Sequence, residues 1–189
     1  MKKFLSMILT VVTVFSIGCF TGCNETESKF KVGEYITFGY YEQDLNKRNE
    51  IEWLVLEVKH GKALLISRYA LDCQPYNSKC VDVTWETCTL RQWLNIDFIN
   101  AAFSDNEKAR ILTVPVSADK NPNYSTNPGN VTKDKIFLLS VAEVNKYFSN
   151  KESRKCARTA YAAAQGAYTD FSYKTENNEY TCVWWLRTP

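Results

Sequence analysis

The sequence has a single histidine, His60, in 189 residues, and none of its seven cysteines forms a Cys-x-x-Cys pair. A structural zinc site draws four Cys or His ligands from compact pairs, so this spacing argues against one. The sequence also lacks Gly-x-Ser-x-Gly, a Walker loop and His-Glu-x-x-His, and the lone imidazole sits in the turn-like run Lys59-His60-Gly61-Lys62. A nucleophile therefore has no evident base to activate it, and hydrolysis by these familiar routes is not expected. Charge of one sign is scarce too, with 23 Lys and Arg against 21 Asp and Glu, or 21 against 21 once Lys2 and Lys3 are set aside. Neutralised phosphates dominate nucleic-acid affinity, so a balanced chain without a basic run is not expected to bind DNA or RNA. Beyond residue 23 no apolar run reaches the roughly 20 residues that span a bilayer, and no internal repeat is visible. What is abundant is apolar and aromatic character, 45% and 14% of the residues, which excludes a disordered chain.

The start of the chain reads as an export signal. Met1, Lys2 and Lys3 make a basic n-region, and Phe4 to Phe20 is apolar apart from a few small hydroxyl and glycine residues. The run closes on Phe20-Thr21-Gly22-Cys23, which resembles a lipoprotein lipobox, with Ser16-Ile17-Gly18-Cys19 a poorer second candidate. The expectation is a signal peptide over 1–22, a lipidated tether over 23–30 beginning at Cys23, and one domain over 31–189. A secreted chain without lipid and an uncleaved anchor are the alternatives. Lipidation would place the domain at the outer face of the cytoplasmic membrane, held there by its anchor. Export also permits disulfides. Of the five cysteines left in the domain (Cys73, Cys80, Cys88, Cys156 and Cys182), Cys73 and Cys80 would close a small loop around Pro75-Tyr76-Asn77.

Along the domain, aromatic and β-branched residues from Val32 to Tyr41 suggest a strand and turn. Ile51–Val58 and Ala63–Ile66 flank a turn in which Gly61 can take a positive φ, giving the clearest β-hairpin. Leu90, Trp93, Leu94 and Phe98 recur at helical spacing, with Thr87 or Thr89 as N-cap. Ser104-Asp105-Asn106-Glu107 and Ser140-Val141-Ala142-Glu143 are capping boxes that each open a helix. Residues 117–133 read as a polar surface loop, Ile136–Leu139 as a buried strand, 158–167 as a short helix ended by Gly166, and Cys182–Leu186 as an aromatic strand. Hairpins and helices come in separate runs without βαβ repetition, which predicts an α+β domain: a twisted antiparallel sheet with flanking helices and long loops.

One ordered set of segments is distinctive: Ile51-Glu52-Trp53-Leu54-Val55-Leu56, Ala63-Leu64-Leu65-Ile66-Ser67, Thr84-Trp85-Glu86, Leu90-Arg91-Gln92-Trp93-Leu94-Asn95, Phe137-Leu138-Leu139-Ser140 and Trp184-Trp185-Leu186-Arg187-Thr188-Pro189. From about Val32 onward the chain resembles domain of unknown function 6273, an uncharacterised family common in Gram-positive, clostridial-type bacteria. Members of that family usually continue past the Trp-Trp-Leu-Arg segment to a closing Gly-Val-Arg-Pro-Ala-like motif. The resemblance therefore implies that C-terminal strands are missing here and that residues 182–187 would form an exposed, aggregation-prone edge. The Trp-Arg pattern is further similar to the C-type-lectin-like scaffold shared by formylglycine-generating enzymes and variable binding proteins.

Candidate sites are few. Arg91 with Trp93, and Trp185 with Arg187, can recognise a carboxylate or stack on a sugar ring, or can equally be structural. Glu86, Asp97, Asp119, Asp134 and Glu143 are carboxylates that a glycosidase could pair, but each has a capping, helical or loop explanation. The formylglycine-generating resemblance implies a copper-holding cysteine pair, for which Cys156 and Cys182 are the candidates, although that enzyme's own cysteine motif surrounds neither. The reading is a lipid-anchored, non-catalytic binding or interaction module with no cofactor. Its ligand would be an extracellular glycan, peptide or cell-wall fragment, met by the loops at 72–83, 117–133 and 168–180 with their tyrosines Tyr76, Tyr124, Tyr168 and Tyr173. An enzyme on the same scaffold and a purely structural envelope domain are the alternatives.

Overall fold

The computed structural model describes residues 30–189 together with the backbone of two short strands at 7–9 and 12–16. Cys19, Cys23 and the tether as far as residue 29 lie outside the described residues. In chain order the strands are β1 (Met7–Leu9), β2 (Val12–Ser16), β3 (Tyr35–Asp44), β4 (Lys47–Lys59), β5 (Lys62–Ser67), β6 (Asp72–Gln74), β7 (Val114–Val116), β8 (Thr132–Asp134), β9 (Ile136–Phe137), β10 (Asp170–Lys174) and β11 (Tyr180–Thr181). The helices are α1 (Thr89–Trp93), α2 (Ile99–Ala102), α3 (Asp105–Arg110), α4 (Val141–Tyr147) and α5 (Ala160–Ala164), with a π-helical turn at Leu94–Phe98 joining α1 to α2. The fold is α+β, built on a five-stranded antiparallel sheet of order β3-β4-β5-β2-β9.

The β4–β5 hairpin forms where the alternation predicts it. His60 and Gly61 both take positive φ, 50° and 70°, the two left-handed residues that a tight hairpin turn needs. Ile51, Trp53 and Val55 point into the core until a bulge between Val55 and Glu57 shifts the register and buries Leu56 beside Val55. The neighbouring β3 carries its own bulge at Gly39, where φ is 74° and an added Cβ would lie 2.5 Å from the Phe103 ring. Only glycine lets the strand pass that ring. Trp53, fully buried, donates its indole N–H to the Phe38 carbonyl at 2.7 Å, so its burial leaves no polar atom unsatisfied.

Leu90, Leu94 and Phe98 form the buried stripe of the α1–α2 helix, with Trp93 half-buried against Phe98. Its cap differs from the expectation. The N-cap is Cys88, whose side chain makes no capping bond, and Thr87 turns instead to Thr84. Asn77, eleven residues upstream of the cap, accepts from the Thr89 N–H and performs the capping from a loop. Both capping boxes form as read, at Ser104/Glu107 and Ser140/Glu143. Cys182–Leu186 differs as well: the strand β11 stops at Thr181, and the aromatic run continues as irregular chain. Its bulky residues favour burial on a half-covered surface more than a ladder as such, and here the Cys182 and Arg187 N–H groups donate to the Cys156 and Leu139 carbonyls. Residues 168–180, read as loop, contain the β10 strand and most of its hairpin with β11. Among the described residues no helix is long and apolar enough to cross a membrane.

Candidate functional site

The four residues singled out in the Arg and Trp motifs separate into two kinds. Arg187 is a buried strut, 2% exposed. Its guanidinium donates to the Leu138 carbonyl at 2.7 Å, the Ser117 carbonyl and hydroxyl at 3.0 Å each, and the Glu143 carboxylate, with Asp119 at 3.5 Å. These donors tie the 117–119 loop, the end of β9 and the α4 cap to one point, leaving Arg187 no free face for a ligand. Arg91 plays a similar part. Its Nε donates at 2.7 Å to Asp134, a carboxylate 2% exposed that also accepts from the Trp85 indole at 3.0 Å and from the Thr132 hydroxyl. Trp85 and Asp134 form a joint the sequence did not signal, because they lie 49 residues apart. Trp93 packs into the core beside Phe98.

Trp185 is placed differently. Its ring lies 5.3 Å from that of Tyr76, and both remain partly open to solvent. The Trp185 indole donates to the Gln74 carbonyl at 3.2 Å and the Tyr76 hydroxyl donates to the Arg187 carbonyl at 3.3 Å, so each ring is held at its polar tip. Burial raises the Tyr76 hydroxyl well above its ordinary pKa, and it stays a proton donor at any physiological pH. The pair floors an open cleft of about 970 Å³. One wall is the 81–87 turn, and the opposite wall is the 126–130 part of the polar loop.

Local chemistry holds that loop in place. Gly129 has φ of 78°, and a Cβ there would come within 2.6 Å of the Thr84 hydroxyl, so the loop backbone rests directly on the opposite turn. Asn130 donates from both its backbone and its side-chain amide to Glu86, at 3.3 and 2.9 Å. Asn127 accepts from the Gly129 N–H at 3.0 Å, closing an Asx turn. The Pro189 carbonyl accepts from Asn121 and Thr126 at 2.7 and 2.9 Å. The cleft lining therefore combines an aromatic floor with threonines, asparagines and two carboxylates, Asp82 and Glu86, and among the described residues it includes no lysine or arginine.

Two of the three expected loops, 72–83 and 117–133, thus meet around one cleft, and 168–180 does not line it. Tyr76 belongs to the cleft, while Tyr124, Tyr168 and Tyr173 are exposed elsewhere. His60 is an exposed turn residue. Cys73 is buried and Cys80 exposed; both are thiols, as are Cys156 and Cys182, which stand opposite one another. Among the described residues no group of three or more His, Cys, Asp or Glu is arranged to hold a metal ion.

A family model described as Domain of unknown function (DUF6273) matches residues 60–189, which takes in the whole cleft and both arginine struts. The chain belongs to this family. Within the DUF6273 domain, both walls and the floor of the cleft come from the matched segment. Comparison with curated proteins and with solved structures gives no match.

Proposed function

We propose that this DUF6273 protein is a lipid-anchored surface protein whose domain binds a neutral carbohydrate in the Tyr76–Trp185 cleft. The observation that carries the reading is the cleft lining: two ring faces held by their polar tips, surrounded by amides, hydroxyls and carboxylates, with no cation among the described residues that line it. Sugar rings present apolar C–H faces for stacking and hydroxyls for such groups to bond. An anionic ligand would meet Asp82 and Glu86 without a compensating charge. The pinned loop favours this use, because a wall already ordered by Glu86, Asn127 and Gly129 loses little entropy on binding. The Trp-Arg resemblance to C-type-lectin-like scaffolds points the same way, and the apolar run ending at Cys23 supports the anchor.

The test is tryptophan fluorescence and calorimetric titration of the full chain against a panel of neutral glycans, peptidoglycan fragments and peptides. The expected outcome is saturable binding of a glycan that falls at least tenfold in Trp185→Ala and is retained in Tyr168→Ala, outside the cleft. Binding of peptides alone, or glycan binding indifferent to Trp185, overturns the reading.

A further inference from the structure

Beside the main core a second, smaller apolar cluster consists of Ala70, Cys73, Cys156, Ala162, Ala167 and Cys182. Its members are small because two backbone segments run close together there. Ala157 and Thr181 form an antiparallel bridge, which sets Cys156 directly across from Cys182, and the Cys182 N–H donates to the Cys156 carbonyl at 2.9 Å. Opposed residues of an antiparallel pair have Cα atoms about 4.5–5.5 Å apart, within the span that a disulfide bridges. Both side chains are buried, at 7% exposure each. Hydrogen bonding to the Cys156 thiol, then burial, raises the Cys182 thiol far above its ordinary value.

We propose that Cys156 and Cys182 are a redox-controlled cross-strand disulfide site. The oxidant is a low-molecular-weight or protein disulfide, R–S–S–R. The Cys156 thiolate attacks one of its sulfurs, giving a mixed disulfide and R–S⁻, which takes up the proton that Cys156 lost. The Cys182 sulfur, losing its own proton, then displaces the second R–S⁻, which leaves as R–SH. One Cys156–Cys182 bond and two R–SH are formed for one R–S–S–R consumed. Cys156 reacts first because it lines a small cavity of about 60 Å³ that Arg68, Arg154 and Lys155 also line. The Arg154 Nε–H is a buried donor without a hydrogen-bond partner among the described residues.

The bond would tie the end of β11 to the chain ahead of α5. Cys182 lies two residues before Trp184, so the bond would also fix the segment that carries the cleft's floor.

The test equilibrates the wild-type full chain in glutathione mixtures from fully reduced to fully oxidised, blocks remaining thiols with iodoacetamide, and maps peptides without reduction. The expected result is a peptide pair joined through Cys156 and Cys182 that appears with rising glutathione disulfide and vanishes with dithiothreitol. The oxidised form should melt higher than the reduced form by about 5–10 °C, the range expected when a disulfide closes a loop of this size in a domain of this size. A Cys156→Ser, Cys182→Ser double variant should melt at the same temperature in both conditions. Alkylation of both cysteines in the fully oxidised sample overturns the proposal, as does a link that joins Cys73 to Cys80 or to either member of the pair in its place. Glycan binding enters none of these readouts, so the proposal stands or falls apart from the cleft reading.

Discussion

At the scale of single residues, Arg187 bears the heaviest demand. A buried guanidinium with Glu143 and Asp119 on one side and three neutral acceptors on the other compensates its desolvation only as a complete set. Arg187→Met removes the donor and leaves those acceptors unmatched. The expected loss is about 3 kcal/mol in urea unfolding, without a change of fold in circular dichroism. Asp72 is the residue whose titration should show in stability. It is 2% exposed and accepts from the Tyr41 hydroxyl, the Cys73 N–H and Gln74, yet burial still raises its carboxyl above the ordinary 3.8. The unfolded chain therefore releases this proton at lower pH than the folded one does. Between the two values the folded state holds more protons, and the contribution of Asp72 to stability declines as pH rises through that window. Urea unfolding of wild type and Asp72→Asn from about pH 4 to pH 7 should show the variant gaining on wild type as pH rises, and a constant difference would refute the assignment.

At the scale of elements, α4 shows how one short helix serves two ends. Its capping box makes Ser140 accept from the Glu143 N–H at 3.2 Å while Glu143 accepts from the Ser140 N–H at 2.8 Å, and the same Glu143 carboxylate receives Arg187. Ser140→Ala should cost about 1 kcal/mol, the usual worth of a cap. Glu143→Ala should cost more, because it also strands Arg187. A double-mutant cycle of Glu143 with Arg187 should show the losses to be non-additive, and additivity would mean the contact carries no energy.

The elements also show what a sequence can disclose. The capping boxes, the β4–β5 hairpin with its His60-Gly61 turn and the Leu90, Leu94, Phe98 stripe were legible because each is decided within about a dozen residues. The cleft loops were legible as loops, from their Asn, Pro and Gly content. Their meeting was not legible, since it depends on Gly129 resting on Thr84 and Asn130 reaching Glu86 across 44 residues. Comparable separations, 43 and 49 residues, hid the Arg91–Asp134–Trp85 joint, while the α1 cap was missed because Asn77 supplies it from a loop outside the helix. The aromatic run after Thr181 misled because Trp and Val signal burial as strongly as they signal strand.

At the scale of the whole molecule, the described domain is arranged so that Arg187, buried, and Arg91, half-buried, lock the loops while two half-buried aromatics remain at the cleft. The proposed placement at a membrane surface is a separate matter, and would be carried by the apolar run ahead of Cys23. Intact mass of the membrane-extracted full chain should show a diacylglycerol increment that disappears in Cys23→Ala. An unmodified chain in the medium would instead indicate secretion without lipid.

The central sheet bears on the same question from another direction. Val12–Ser16 is hydrogen-bonded on both sides, to Lys62–Ile66 of β5 and to Ile136–Phe137 of β9. These five residues also lie in the middle of the run that would guide the chain out of the cell and then be cut away. They cannot do both in one molecule. If the run acts as the proposed export signal, a copy that closes its sheet early would withhold it from the export machinery, and a copy that lost it would leave β5 and β9 each with a bare edge where β2 had joined them. On the proposed reading, export would be a race between folding and targeting, and its winner would decide how many strands the finished sheet contains.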